Sequence, residues 1–468
     1  MWGAGYLEGR VTAAMVWENW YNLLQSSFGG SVPAALQGWF KANLAWMDDQ
    51  VRRYAATQPY WRHVELLLLQ LRGIHQGYQE SAFVANSTAR ALPFDAFILL
   101  NSDGDMEELC VVANCPSIPG LAQRIKKPPI QNTHCSAYVR VTPDLQELYA
   151  GHTTWADYYN MVRVFKHYDF PLRAAQTTAR TTLFSSYPAF VSSVDDFYQL
   201  SSGLVVIETT NGITNEALFK YIKPQSVMSW IRVSVANRMA GSGEEWIDIF
   251  KQYNSGTYNN QWIIVNYARF TPGEPLPDGV LHVVEQIPTR VEFEDVTHYL
   301  RLGYWPSYNI PYFESIFNES GFIELERTYG DWFNYQMHPR AYIFRRDAVK
   351  VNDLAAARNL LRYNDWQNDP AAYGNPGNQI SSRFDLVPKG DNPPNPNLVR
   401  AAFGGIDSKI TSKALVRLGR CQAQSGPSHD QQPPFEWNDA DWPHIAHIGQ
   451  PKLWNFGWFE MPSGRPVN

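Results

Sequence analysis

A chain of 468 residues, 44% of them apolar, can build one large core or two to three smaller ones. A net charge of −6 without a long basic run argues against nucleic acid as the main partner. The longest apolar stretches, such as "VELLLLQL", are too short to span a bilayer, which excludes a membrane-spanning enzyme but not a lipid substrate. With 17 Trp and 25 Tyr, a Trp-rich core is a simpler reading than an aromatic-lined lipid channel.

The chain opens "MWGAGYLEGR", with no basic-then-apolar leader. The first ninety residues predict helices. Val16, Trp20, Leu23 and Leu24 form one stripe, and Leu36, Phe40, Leu44, Met47 and Val51 another. "PYWRHVELLLLQLRGIHQGY" gives a third helix, and "FDAFILL" (94–100) reads as a buried strand. "NSDGDMEEL" (101–109) lacks the spacing of a calcium loop and reads as a solvated turn. From Cys115 to His134, four prolines and "RIKK" without periodicity predict a loop or linker open to proteolysis.

Strands follow. "CSAYVRV", a Pro-Asp turn and "ELYAGHTTW" make a hairpin, and 204–210, 260–270 and 279–287 are further strands. Helices are expected at "NEALFKYI", "SVMSWIRVSVANRMA" and "EEWIDIFKQY". The Pro-, Asn- and Gly-rich stretch 366–400 predicts an ordered wrapping loop. Helices and strands in separate blocks point to a layered α+β domain.

Most catalytic signatures are absent: no G-x-S-x-G, no P-loop, no H-E-x-x-H and no C-x-x-C. No cofactor or metal is therefore expected. Asp195 and Asp196 are adjacent; on a strand they would face opposite ways and could not work as a glycosidase pair. Cys110 and Cys115 could close one small loop, leaving Cys135 and Cys421 as thiols or as a second bridge. Asn86 and Asn318 stand in N-x-S/T sequons. Cys135 is placed differently from the other cysteines. It lies where a Pro-rich stretch meets a strand, and the returning strand of the hairpin brings His152 back beside it. A lone Cys on an alternating face is more often a packing residue than a nucleophile.

From about Gly5 to Trp458 the chain resembles the phospholipase B-like family. The shared motifs include "GYLEG", "CSAYV", "GHTTW", "FSSYP" and "DDFYQLSSGLVVIETT", then "FKQYNSGTYNNQW", "YWPSYNIPYFESIFNESG", "YGDWFNYQMHPRAYIFRRD", "GGIDSKITS" and "SGPSHDQQPPFEW". The resemblance implies the four-layered αββα sandwich of N-terminal nucleophile (Ntn) hydrolases. It implies that the Cys135 thiol cuts the His134–Cys135 bond and that Cys135 then begins the catalytic chain. Residues 1–134 would stay bound to the catalytic core, 135–468. His152 and Thr154 would orient the amine or thiol, and Asn309 would hold the oxyanion. Arg340 would lower the thiol pKa or hold an anionic group. Against these stand plainer readings: a core histidine at 152, a turn cap at Asn309 before Pro311, and an Arg340–Asp331 ion pair.

The implied activity is hydrolysis of acyl ester or amide bonds in a lipid-like substrate. An amidase acting on N-acyl or peptide-like amides, or a catalytically weak lipid-binding protein, are the alternatives. The resemblance further implies a lysosomal or secreted glycoprotein and allows a homodimer. The chain departs from the family in lacking a leader and opening strand ahead of "GYLEG", in carrying His134 before the nucleophile, and in having "AAYGNPGN" where relatives often carry a cysteine pair.

Overall fold

The structure is a computed structural model that describes residues 1–115, 134–173, 176–389 and 399–467. The 115–134 linker expectation lies, apart from its ends, outside the described residues. Four helices open the chain: α1 (Trp2–Val11), α2 (Ala13–Phe28), α3 (Ala34–Tyr54) and α4 (Pro59–Gln79). The glycines of "GYLEG" explain how α1 lies on α4. A Cβ added at Gly5, Gly9, Gly73 or Gly77 would run into the backbone of the opposite helix. Spacing by four residues puts each glycine pair on one helix face, so the two backbones meet along a side-chain-free seam.

The stretch at 94–100 is a helix, Phe94–Asn101, not the expected strand. Every residue from Ala96 to Asn101 is buried, so no face-to-face alternation distinguishes the two forms. The solvated turn at 101–109 is also corrected. Asp103–Asp105 form a 3₁₀ turn leading into the helix Met106–Val112, and Asp103, Asp105 and Glu108 are buried. Their polar atoms have partners: Thr257 Oγ1 donates to Asp105 at 2.5 Å and Asn259 Nδ2 to Glu108 at 2.9 Å.

Two seven-stranded antiparallel sheets carry the rest. The first joins β1 (Ser136–Val141), β2 (Leu148–Asp157), β10 (Tyr304–Ser307), β11 (Phe403–Ser412), β12 (Cys421–Ser425), β13 (Phe459–Met461) and β14 (Arg465–Pro466) in the order β10-β1-β2-β11-β12-β13-β14. The second runs β3 (Val164–Asp169) through β4 (Thr181–Ser186), β5 (Phe197–Leu200), β6 (Leu204–Thr210), β7 (Asn260–Asn266) and β8 (Leu281–Ile287) to β9 (Arg290–Asp295). The expected hairpin is β1–β2, in the register Ala137↔His152.

Strand alternation sorts the cores. Ala137, Val139 and Val141 of β1 pack with Val205, Ile207, Ile263 and Val283 of the second sheet in one apolar cluster between the sheets. Tyr138, on the other face of β1, packs with Phe344 and Leu361 from the helices Pro339–Asp347 and Leu354–Leu361. On the outer face of the second sheet, Val206, Trp262 and Ile264 meet Val233 and Trp246 from the helices Ser229–Met239 and Gly243–Phe250. Expected helices at the second and third of the three predicted positions are these last two; "NEALFKYI" forms a 3₁₀ helix, Glu216–Tyr221. The stretch 366–389 is ordered and largely buried from Asn375 to Asp385, and Trp155 Nε1 donates to the Ile380 carbonyl at 3.0 Å. The four cysteines are all unbridged.

Candidate active site

The hairpin and the end of β6 bring the candidate residues together. Cys135 stands immediately before β1, is 2% exposed, and has φ of 74°. A positive φ is uncommon for a residue with a side chain, so the surrounding bonds hold this backbone in place. His134 forms an isolated bridge to Thr210 at the end of β6. Its ring spans from Glu107 Oε1 (3.2 Å) to the Trp155 carbonyl (3.3 Å).

The carbonyls on either side of Cys135 are held by the two residues named from the second half of the chain. Asn309 Nδ2 donates to the His134 carbonyl oxygen, and to the Thr210 carbonyl at 2.7 Å. Arg340 lies just inside the N-terminus of the helix Pro339–Asp347, with its guanidinium over the Trp155 ring at 4.3 Å. Nη1 donates to the Cys135 carbonyl (2.6 Å) and Ser136 Oγ (3.1 Å). Nη2 donates to the Tyr308 carbonyl (2.7 Å) and Asn309 Oδ1 (2.7 Å). That last bond fixes the Asn309 amide with its NH2 toward His134. Among the described residues Arg340 has no ion pair with Asp331, and the Asn309 side chain bonds the His134 and Thr210 carbonyls and Arg340.

The thiol faces a different wall. Cys135, His152 and Glu208 each place a ligating atom within 4.8 Å of the others. All three are buried. Burial, then the neighbouring Glu208 carboxyl, pushes the Cys135 thiol well above its ordinary value. Arg340 hydrogen-bonds the Cys135 backbone oxygen rather than the sulfur, and burial outweighs any lowering of the thiol by its charge. Burial, then the Lys409 ammonium, holds His152 well below its ordinary range, so the imidazole is neutral. His152 Nδ1 lies 3.5 Å from Thr154 Oγ1, while Nε2 is buried with no hydrogen-bond partner.

Behind this wall is a charged group the sequence did not disclose. Lys409 Nζ donates to Thr154 Oγ1, to Asp407 Oδ1 (2.7 Å) and to Asp195 Oδ2 (3.3 Å). Arg163 donates to Asp195 and to Asp407 Oδ2 (2.6 Å). Burial alone would raise the Asp195 carboxyl, but Arg163 and Lys409 outweigh it and hold it below the usual range. Asp196 does diverge from Asp195, as expected of neighbours, although neither lies in a strand. It accepts from Tyr258 Oη at 2.8 Å, and burial pushes its carboxyl far up. Burial, then Asp196, does the same to Glu208. Lys409, Asp407, Asp195 and Glu208 all sit within motifs of the family resemblance, "GGIDSKITS" and "DDFYQLSSGLVVIETT". The pairing of Asp195 with Lys409 joins positions more than 200 residues apart, which no spacing rule reveals.

A small cleft of about 40 Å³ opens onto Cys135, lined among others by Asp103, Glu107, His134, Thr154, Trp155 and Tyr258. It has room for water but not for an acyl chain. No described helix is long and apolar enough to cross a membrane.

Comparison with known proteins agrees over the length of the chain. The family model described as Phospholipase B matches residues 1–461. The chain is 44% identical over 471 residues to phospholipase B-like protein A of Dictyostelium discoideum, covering 98% of this chain and 82% of that one. It is 46% identical over 461 residues to phospholipase B-like protein B of the same organism, covering 97% and 79%.

Proposed function

The chain belongs to the phospholipase B family, and from that premise we propose that it hydrolyses acyl bonds through a Cys135 thiol and α-amine that it exposes by cutting itself. The family supports a hydrolase-type function. The observation that carries the finer reading is the Asn309 amide directed at the His134 carbonyl oxygen by Arg340. This is the oxygen on which negative charge develops when Cys135 Sγ attacks the His134 carbonyl carbon.

Sγ bonds to the His134 carbonyl carbon, and Asn309 holds the resulting oxyanion. The thiol proton passes to neutral His152 and from there to the Cys135 nitrogen, whose bond to His134 breaks. A thioester joins His134 to Cys135 Sγ. Water then hydrolyses it, returning the thiol and leaving a carboxylate on His134 and an α-amine on Cys135. That amine has an ordinary pKa of roughly 7.7–8.0 and can take the thiol proton in later turnovers. The same donor, now freed of His134, would serve the oxyanion of an external ester or amide.

Two further features support this reading. The inter-sheet core with helices on both outer faces fits the αββα layering of Ntn hydrolases. The helices between Ala13 and Val112 share one apolar cluster with Tyr158, Trp230, Ile231 and Trp437, and Asn43 Nδ2 donates to the Ser226 carbonyl at 2.8 Å. A fragment ending at His134 would thus remain bound to 135–468. In the uncut chain the oxyanion donor is occupied by His134, and the cleft is too small for substrate, so processing must precede hydrolysis.

The test is a panel of fluorescent acyl esters and N-acyl amines offered to the processed protein, with Cys135→Ser as control. Turnover lost in the control supports a Cys135 acyl-enzyme, and the preferred series names ester or amide. Tight lipid binding without turnover would favour a binding protein instead.

A further inference from the structure

We propose that Cys135, His152 and Glu208 form a binding site for a divalent metal ion of the zinc class, and that the ion switches the nucleophile off. The inference rests on Cys135 being the nucleophile only for its second half; the site itself stands on geometry.

A thiolate, an imidazole and a carboxylate are the three donor types zinc takes from proteins, and three such donors plus one open position are a familiar set. Zinc bond lengths of about 2.0–2.3 Å place tetrahedral donor atoms roughly 3.3–3.8 Å apart. The three donor atoms here lie within 4.8 Å of one another, so small side-chain rotations close the set. His152 is prepared for it. Nδ1 is turned to Thr154 Oγ1, leaving Nε2, buried and without a hydrogen-bond partner, available to a metal.

His152 and Glu208 also have outer partners of the kind that orients metal ligands. Thr154 holds the imidazole. Thr210 Oγ1 (3.4 Å) donates to the Glu208 carboxylate. Charge balances too. One thiolate and one carboxylate neutralise a divalent ion, and the Arg163, Lys409, Asp195 and Asp407 group behind it is neutral as a whole. The cleft that reaches Cys135 gives the ion a path and leaves room for a water at the fourth position.

Binding releases the thiol proton, and the carboxyl proton where Glu208 carries one, to solvent. The bound sulfur no longer attacks a carbonyl, and His152 no longer accepts a proton. Metal thus blocks both self-cleavage and hydrolysis, and its removal restores them.

The experiment titrates the metal-free full-length protein with Co2+ and reads the absorption spectrum. The expected result is one ion per chain, with a thiolate-to-cobalt charge-transfer band and the visible bands of a four-coordinate ion, both displaced by Zn2+. Cys135→Ala removes the charge-transfer band, and Glu208→Gln weakens binding roughly tenfold or more. Zn2+ stops processing and turnover, and a chelator restores them. No charge-transfer band in the wild type at saturating Co2+ overturns the site, whether or not any variant folds. Equal binding by the wild type and Glu208→Gln overturns it as well. A chain that binds Co2+ through Cys135 yet neither cuts itself nor hydrolyses anything keeps the metal site and removes the proposed function. A chain that processes normally without a band does the reverse.

Discussion

The two sides of Cys135 are built differently. On its carbonyl side, Arg340 makes four hydrogen bonds and holds Asn309, and Asn309 binds the His134 and Thr210 carbonyls. On its thiol side, the His152 Nε2 has no partner, and Glu208 and Asp196 are pushed toward their neutral forms by burial. Under the proposed function, the first side holds its donors fixed where charge is to develop, and the second leaves His152 Nε2 without a hydrogen bond where protons are to move. Preorganised donors stabilise a transition state without moving, whereas a base must change its bonds as it works.

The largest effect is expected on the thiol side. His152→Ala should slow self-cleavage by about 10²–10⁴-fold, the range for loss of a general base. It should cost far less in hydrolysis by a protein assembled from 1–134 and a chain that begins at Cys135, where the α-amine replaces it. Equal losses in both assays would merge the two roles. Because burial and Lys409 hold the imidazole below its ordinary 6.5, the cleavage rate should stay level as pH falls through 6.5 and drop only below it. A midpoint at or above 6.5 would break that account.

On the carbonyl side, Asn309→Ala should slow both self-cleavage and turnover by about 10²–10³-fold with folding retained. An unchanged rate by quenched mass spectrometry would remove Asn309 from the site. Arg340→Lys keeps the charge and loses the planar fork, so Asn309 is no longer fixed. The cost should reach about 10²-fold, in kcat more than KM, as for a misplaced catalytic group. Full activity would mean that charge alone matters here.

The smallest effect is thermodynamic. Glu208 has a folded-state pKa raised above its ordinary 4.5. Its contribution to stability is therefore present below 4.5 and lost as pH rises toward the folded value. Each proton the folded state must take up costs about 1.4 kcal/mol per pH unit. Urea midpoints of Glu208→Gln should accordingly fall less steeply between pH 5 and 7 than those of the wild type. Parallel slopes would show that Glu208 is ionised in the fold.

The sequence disclosed the two sides unequally. Period-two alternation marks the β1–β2 hairpin and so the nearness of His152 to Cys135, because register in a tight hairpin follows from the turn. Asn309 and Arg340 came only through family motifs, since nothing local in "SYNIP" or "HPRAYIF" signals where the side chains reach. The Lys409, Asp407, Asp195 and Arg163 group was missed because ion pairs between β11, the approach to β5 and the start of β3 are products of topology. Phe94–Asn101 was misread for a simpler reason: a segment buried all round carries no period. Asp105 and Glu108 read as solvent-facing because composition alone does not show that Thr257, Tyr258 and Asn259 supply donors nearby.

The most direct test of self-exposure is the intact mass and N-terminal sequence of the purified wild type beside Cys135→Ala. The account predicts a wild-type fragment beginning at Cys135 and a single uncut chain for the alanine variant under the same conditions. A fragment beginning at residue 135 in both would show that another protease makes the cut, and would contradict it.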